Sequence, residues 1–241
     1  MREPSESRFE LYDSEFYAQH EPGARRSARR ILPMLQAAYP ITSVVDIGCG
    51  HGGWLAEAER VGLVDGLGID GPWSENCHFA PATLPRLFMD LNCPIKLPRS
   101  FDAAICLEVA EHLPREREEG LVTDLARMAD VVLFSAAIPG QEGDGHVNER
   151  WQSHWVELFA QFGFEAHDFI RPNVWRDEAV EWWYRQNILV FSPQGPDWGR
   201  LRAAGVEMSS MGALDIVHPL LYSRRHHARY APTGASALPP P

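Results

Sequence analysis

Apolar and polar positions along this chain switch repeatedly between two periods. Short apolar-rich runs at 43–47, 66–70, 86–90, 101–107 and 131–135 predict strands. The run at 101–107 is almost wholly apolar, as expected for a strand buried on both faces of a parallel sheet. Helical spacing appears between them, over 54–61 (Trp54, Leu55, Ala58, Val61) and 116–129 (Leu121, Val122, Leu125, Met128). An earlier helix over 24–38 has Ala28, Ile31, Leu32 and Leu35 on one side, with Pro33 expected to kink or split it. A later helix over 149–162, N-capped by Asn148 and closed by Gly163, carries a buried stripe of Trp151, Trp155, Leu158, Phe159 and Phe162. Strands at 164–170 and 187–191 complete the set. No crossover motif separates them, so the final pair is expected to be antiparallel. Residues 71–85 hold three prolines and no helical period, which makes that crossover irregular. Strand–helix alternation of this kind predicts an α/β doubly wound, seven-stranded, mostly parallel sheet with helices on both faces. The domain is expected over 23–192, after a polar N-terminal arm (1–22). A C-terminal extension (193–241) with room for one helix follows, expected to be disordered from about residue 230.

The stretch 44–53, Val-Val-Asp-Ile-Gly-Cys-Gly-His-Gly-Gly, is the most informative. A buried strand runs into a turn with glycines at 48, 50 and 52, where bare backbone can approach a ligand closely. The helix that follows presents N–H groups to the same spot. Two patterns fit. Gly48-x-Gly50-x-x-Gly53, with Asp70 downstream, matches a dinucleotide site. Asp46-x-Gly48-x-Gly50-x-Gly52 places a carboxylate where a pyrophosphate would be repelled and a cationic ligand tolerated. Asp46 could also serve only to bind loop amides.

Charge narrows the partners. The net charge of −11 and pI near 5.3 argue against a general nucleic-acid binder. Cys49, Cys77, Cys93 and Cys106 show no paired or zinc-like spacing, the N-terminus has no signal-peptide character, and no run approaches the ~20 apolar residues of a membrane helix. A reducing cytoplasm is the expected location.

In a doubly wound sheet ligands sit at the carboxyl ends of the strands. There stand the glycine loop, Asp70 after the second strand, Asp90 after the third, and Glu108, Glu111 and His112 after the fourth. In order and spacing, these segments resemble the class I, Rossmann-like S-adenosylmethionine (SAM)-dependent methyltransferases over roughly residues 25–192. Gly-Leu-Gly-Ile-Asp-Gly (66–71), Met-Asp-Leu (89–91) and Ile-Cys-Leu-Glu-Val-Ala-Glu-His-Leu (105–113) carry the resemblance beside the loop. It implies SAM as cofactor, held by Asp46, Gly48, Cys49 and Gly50 in the loop. Asp70 would hold the ribose hydroxyls, Asp90 and the Leu91 amide the adenine, and Glu108 would stand at the methionine end. The proline-rich chain in place of a helix between the second and third strands departs from the family pattern at the adenine side.

Glu108 also reads as a carboxylate at a helix start, and Glu111 reads as a surface residue. His112 and His146 are the candidate bases for an acceptor hydroxyl, histidine being suited to proton transfer near neutral pH. Their plainer readings are a capping or core histidine and a solvated loop histidine. Asp144, His146 and Glu149 match no metal-ligand signature, so no metal is expected. Trp175, Trp182 and Trp183 could line an acceptor pocket or close the core. Arg171, Arg176 and Arg185 could pair an anionic acceptor or lie on the surface, and the basic stretch 224–229 reads as solvated. The expected activity is methyl transfer to an oxygen or nitrogen of a small molecule, the acceptor region being 138–185. An NAD(P)-dependent oxidoreductase and a non-catalytic scaffold are the rival readings.

Overall fold

The computed structural model describes residues 14–223 apart from 76, 82 and 208–210. Seven strands form one sheet: β1 (Ser43–Ile47), β2 (Asp65–Asp70), β3 (Arg86–Phe88), β4 (Phe101–Leu107), β5 (Ala129–Ser135), β6 (Glu165–His167) and β7 (Leu189–Ser192), in the order β3-β2-β1-β4-β5-β7-β6. β1 pairs in parallel with β2 (Val45 opposite Leu67) and with β4 (Val45 opposite Ala104). The chain therefore moves outward in one direction from β1 through β2 to β3, and in the other from β4 to β5. The carboxyl end of β1 is the point where strand order reverses, the place where such sheets leave a crevice for ligand. β7 alone runs opposite to the rest, inserted between β5 and β6 (Leu133 opposite Val190, Ala166 opposite Phe191).

Period-2 alternation divides the apolar side chains between two layers. Ala103 and Ile105 of β4 face one core with Leu133 and Val190. That core is covered by α1 (Ser14–Ala38), α2 (Gly53–Arg60), α5 (Ile170–Val174), α6 (Trp182–Asn187) and α7 (Trp198–Ala203). Ala104 and Cys106 face the other core with Val45, Ile47, Val132, Phe134 and Phe191, beneath α3 (Glu118–Met128) and α4 (Gln152–Ala160). There Phe159 stacks on Phe191 at 4.0 Å and Phe134 meets Trp155 at 5.0 Å. Such an aromatic pair contributes about 0.5–1.5 kcal/mol beyond area burial.

Several elements differ from the sequence expectations for identifiable reasons. α1 begins at Ser14, inside the segment read as an arm, and runs unbroken through Pro22 and Pro33. Both prolines lie on its exposed side, where water can take a carbonyl that loses its partner, while Ala28, Ile31, Leu32 and Leu35 hold the other side to the core. α4 is shorter than 149–162. The amides of Val147 and Asn148 donate to the Glu111 carbonyl, which keeps the chain extended until Trp151 caps the helix. Asn148 is consequently not the cap, and Trp151 and Phe162 are 39% and 41% exposed instead of completing the stripe. The predicted strand at 164–170 pairs only over β6; Phe169 and Ile170 turn into α5 and bury there. The crossover 71–85 agrees with its expectation: among its described residues it holds one 3-10 turn (Pro72–Ser74) and no longer helix. Beyond β7, Leu201 of α7 and Val206 pack onto the first core. The expectations for 224–229 and for a tail from residue 230 lie outside the described residues. No helix among the described residues is long and apolar enough to cross a membrane.

The α1–α2 contact depends on a charge cluster. Glu57 is fully buried, and its carboxylate accepts from Arg25 (3.0 Å), Arg29 (2.9 Å) and Arg60 (2.7 Å). Burial alone would raise its pKa; the hydrogen bonds from Arg29, Arg60 and Arg25 outweigh it and hold the group at about 2, below its ordinary 4.5. A depressed carboxylate contributes stability that is present above its unfolded pKa and lost as pH falls through the folded one. Because the arginines are half exposed, Glu57→Gln is expected to cost about 1–3 kcal/mol at pH 7. In denaturant unfolding, the gap to wild type should close as pH falls from 4.5 to about 2. A gap independent of pH would show that shape, not charge, is what Glu57 supplies.

Candidate active site

The turn after β1 is built on glycine. Gly48, Gly50 and Gly52 have φ of +75°, +51° and +73°, and Gly53 is not in that region. Gly52 is the left-handed N-cap of α2. The turn therefore uses the alternating glycines of the second sequence pattern. The amides of Gly48 and Cys49 donate to Ile69 O (2.8 and 3.1 Å), tying the loop to the end of β2. A Cβ on Gly48 would lie 2.3 Å from Val109 Cγ2, so the post-β4 segment packs directly against the loop backbone.

Two carboxylates meet beneath this turn. Asp70 accepts from the amides of Gly50 (2.5 Å) and Gly71 (2.6 Å). Asp46, next to last in β1, is buried beside it; burial first, then the charge of Asp70, pushes its pKa up to about 8. Burial, with the same two carboxylates, also raises the Cys49 thiol. Both aspartates line a cavity of about 410 Å³ that continues past Leu107, Glu108 and Leu113 to Glu111, His112, His146, Trp182 and Trp183. That volume is in the range of small-molecule sites. Among the described residues its lining includes seven acidic residues and no lysine or arginine. This acidic lining would repel a pyrophosphate and attract a cation.

Glu108 follows β4 with φ +52°, a left-handed angle that costs a non-glycine residue of order 1 kcal/mol or more and is tolerated where the surroundings over-determine it. The surroundings are visible. Its carboxylate accepts from Gln141 Nε2 (3.0 Å) and Asn187 Nδ2 (3.1 Å), and the Gln141 Oε1 accepts in turn from Asn187 (3.0 Å) and Gln186 (3.1 Å). A polar network thus joins the ends of β4, the post-β5 loop and α6 across the cavity wall.

Glu111 corrects the surface reading. It is fully buried, accepts from the Ala137 amide through Oε1 (3.1 Å), and leaves Oε2 without a hydrogen-bond partner. Burial and the neighbouring Glu108 carboxylate push its pKa well up. The short 3-10 turn Ala110–His112 sets Glu111 and His112 at the cavity. His146 arrives from the opposite loop, its ring 4.9 Å from that of His112, with Nδ1 3.1 Å from Glu149 Oε1. Glu149 also accepts from the amides of Gly140 (2.7 Å) and Glu142 (2.6 Å), so it holds the loop and does not join Asp144 and His146 in one cluster.

Other candidates separate. Leu91 lines the cavity, but Asp90 is exposed and accepts from the Asn92 amide (3.0 Å) and side chain (2.6 Å). Trp182 and Trp183 line it, whereas Trp175 packs on His218 at 4.6 Å. Arg171 is fully buried on Asp168 and the carbonyls of Gln186 and Leu214, and neither Arg176 nor Arg185 reaches the cavity. Trp73, Gln141 and Tyr184 also line it and carried no signal in the sequence, since each sits in a stretch with no motif.

A methyltransferase-domain family model (Methyltransf_23) matches residues 17–187. The chain belongs to the class I SAM-dependent methyltransferase family. Among solved structures, magnesium protoporphyrin IX methyltransferase from Synechocystis with bound S-adenosylhomocysteine (SAH) superposes with a TM-score of 0.52 at 17% identity, covering 73% of this chain and 84% of that one. A sugar N-methyltransferase from Streptoalloteichus gives 0.52 at 16% identity, covering 72% and 87%. DesVI from Streptomyces venezuelae gives 0.54 at 15%, covering 80% and 100%. At these identities the likeness is one of fold. No curated protein matches the chain by sequence.

This methyltransferase has a site that fits its cofactor. SAM carries an ammonium and a sulfonium and no phosphate, and the backbone cradle at Gly48 beside two buried carboxylates suits that charge. Asp46 acts against the cofactor-free fold. With a folded pKa of about 8 against 3.8, Asp46 keeps a proton that the unfolded chain releases, so its contribution to stability falls as pH rises between those values. Asp46→Asn is expected to raise the melting temperature of the cofactor-free protein at pH 8 by about 2–4 °C, and by less at pH 5. Scanning calorimetry at the two pH values checks this; an equal or opposite change would show that Asp46 is not held against its ordinary ionisation.

Proposed function

We propose that this methyltransferase moves the methyl group of SAM to an oxygen or nitrogen of a small-molecule acceptor in a reducing, cytoplasmic compartment. The observation that carries the reading is the single cavity joining the glycine loop and Asp70 to the His112–His146–Trp183 end. In this reading Asp70 holds the ribose, and Asp46 with the Gly48–Cys49–Gly50 backbone and Glu108 surrounds the methionine portion. Leu91 flanks the adenine. Asp90 joins it only once its carboxylate leaves Asn92. The acceptor enters between Trp182, Trp183 and the 138–148 loop. An acidic, largely apolar cleft with no basic lining among the described residues supports a small acceptor over a nucleic acid. The neighbours whose names state an acceptor act on a porphyrin and a sugar. The free cysteines, three of them buried, are consistent with the compartment.

The transfer is a displacement. A lone pair of the acceptor oxygen or nitrogen forms the bond to the methyl carbon, the carbon–sulfur bond breaks, and its electron pair stays on sulfur as neutral SAH. The acceptor's proton leaves toward the His112–His146 side. In-line positioning within the cleft supplies most of the acceleration, and proton removal adds to it.

Asp70→Ala is expected to weaken SAH binding about ten- to hundredfold, the scale of about 1.5–3 kcal/mol for a lost charge-assisted hydrogen bond. Unchanged affinity would remove Asp70 from the site. His112→Ala and His146→Ala are expected to lose methyl-transfer rate far more than SAM affinity. The substrate class is tested with methyl-labelled SAM and a panel of phenols, carboxylates, amines and sugars. A labelled small product is expected; label found only in protein or nucleic acid would overturn the small-molecule assignment.

A further inference from the structure

We propose that Glu111, His112 and His146 form a binding site for one divalent transition-metal ion at the acceptor end of the cavity. One ligand atom from each of the three residues lies within 4.8 Å of the others. They come from two separate loops, the 3-10 turn after β4 and the loop after β5. Those loops are held together at this point by the Val147 and Asn148 amides donating to the Glu111 carbonyl (2.8 and 3.0 Å). The arrangement is thus clamped by backbone and does not depend on flexible side chains meeting by chance.

A second, independent observation comes from Glu111. Glu111 has no exposed surface, one of its carboxylate oxygens belongs to the cluster, and no N–H or O–H group donates to its Oε2. A buried carboxylate oxygen left in that state costs roughly 1–3 kcal/mol. Among the described residues the lining of the cavity offers no lysine or arginine to offset it, and Glu108 adds a second carboxylate alongside. A cation placed between Glu111 and the two rings removes the cost. His146 has the outer partner typical of a metal-bound imidazole: Glu149 at Nδ1 fixes the ring and its tautomer, leaving the lone pair on the other nitrogen.

Donor chemistry selects the ion. Two imidazole nitrogens and one carboxylate suit zinc, iron(II) or manganese(II), whereas magnesium prefers oxygen donors and retained water. Three protein ligands leave coordination positions open toward the cleft. The metal site goes beyond the methyl-transfer reading and stands without it; only its use does not. In that use the ion binds the acceptor oxygen and lowers its pKa, and the two histidines act as ligands in place of a free base.

The test is calorimetric titration of the chelator-treated full-length protein with zinc chloride, manganese chloride and magnesium chloride, with SAH binding measured on each sample. One-site zinc binding at low micromolar or tighter is expected, with magnesium at least tenfold weaker. Glu111→Gln and His146→Ala should each weaken zinc at least tenfold while SAH affinity stays within threefold of wild type. His146→Ala changes a loop residue, so it keeps the test open if Glu111→Gln fails to fold. Zinc binding that is absent, or unchanged in the variants, with SAH binding intact, overturns the metal site and leaves the cofactor site standing. Zinc binding lost in the variants without any SAH binding supports the metal site and counts against the methyl-transfer reading.

Discussion

Acidic side chains gathered at a buried strand end are the feature around which this candidate active site is organised. At the carboxyl end of β1 and β2, Asp46 and Asp70 stand together in a buried strand end, and the pKa of Asp46 is pushed up to about 8. Backbone amides supply part of the compensation: Gly50 and Gly71 donate to Asp70, and only a turn through three left-handed glycines brings the Gly50 amide there. Asp46, which keeps its proton near neutral pH, can release it when a ligand with positive charge and no phosphate lies beside it. The same glycine loop would serve a dinucleotide in another protein; in the proposed reading the carboxylates here select the cofactor.

The sheet places that charge where it can be used. Strand order reverses at β1, so the ends of β1 and β4 diverge and leave the cavity between them. The strained Glu108 at the end of β4 is locked by Gln141 and Asn187, which links the post-β4 turn to the post-β5 loop and to α6. The two ends of the cavity are consequently parts of one hydrogen-bonded frame. Substitution of Gln141, which lines the cavity, or of Asn187, which holds Glu108, breaks that frame, although neither residue belongs to a motif.

Much of this was legible before the structure. Strong local signals carried the strands at 43–47 and 101–107, the glycine turn and the order of acids at the strand ends, because each depends on neighbours in sequence. Errors arose where distant contacts override local pattern. The helical stripe placed Trp151 and Phe162 in the core, but the clamp of 147–148 onto Glu111 delays the helix and leaves both half exposed. Pro33 was expected to kink or split a helix that is in fact not split, its buried apolar face running on past the proline. Glu111 read as surface because nothing in Glu-Val-Ala-Glu-His shows which carboxylate a 3-10 turn will bury. Gln141, Asn187 and Tyr184 were silent for the same reason: their roles exist only once α6 is packed beside β4.

The most direct test of the charge argument is a calorimetric titration of the purified protein with SAH, with NADH and NADPH as parallel ligands under identical conditions. SAH is expected to bind in the micromolar range, with no measurable heat from either nicotinamide cofactor. Binding of NADH or NADPH with comparable affinity would contradict the claim that Asp46 and Asp70 exclude a pyrophosphate from the glycine loop.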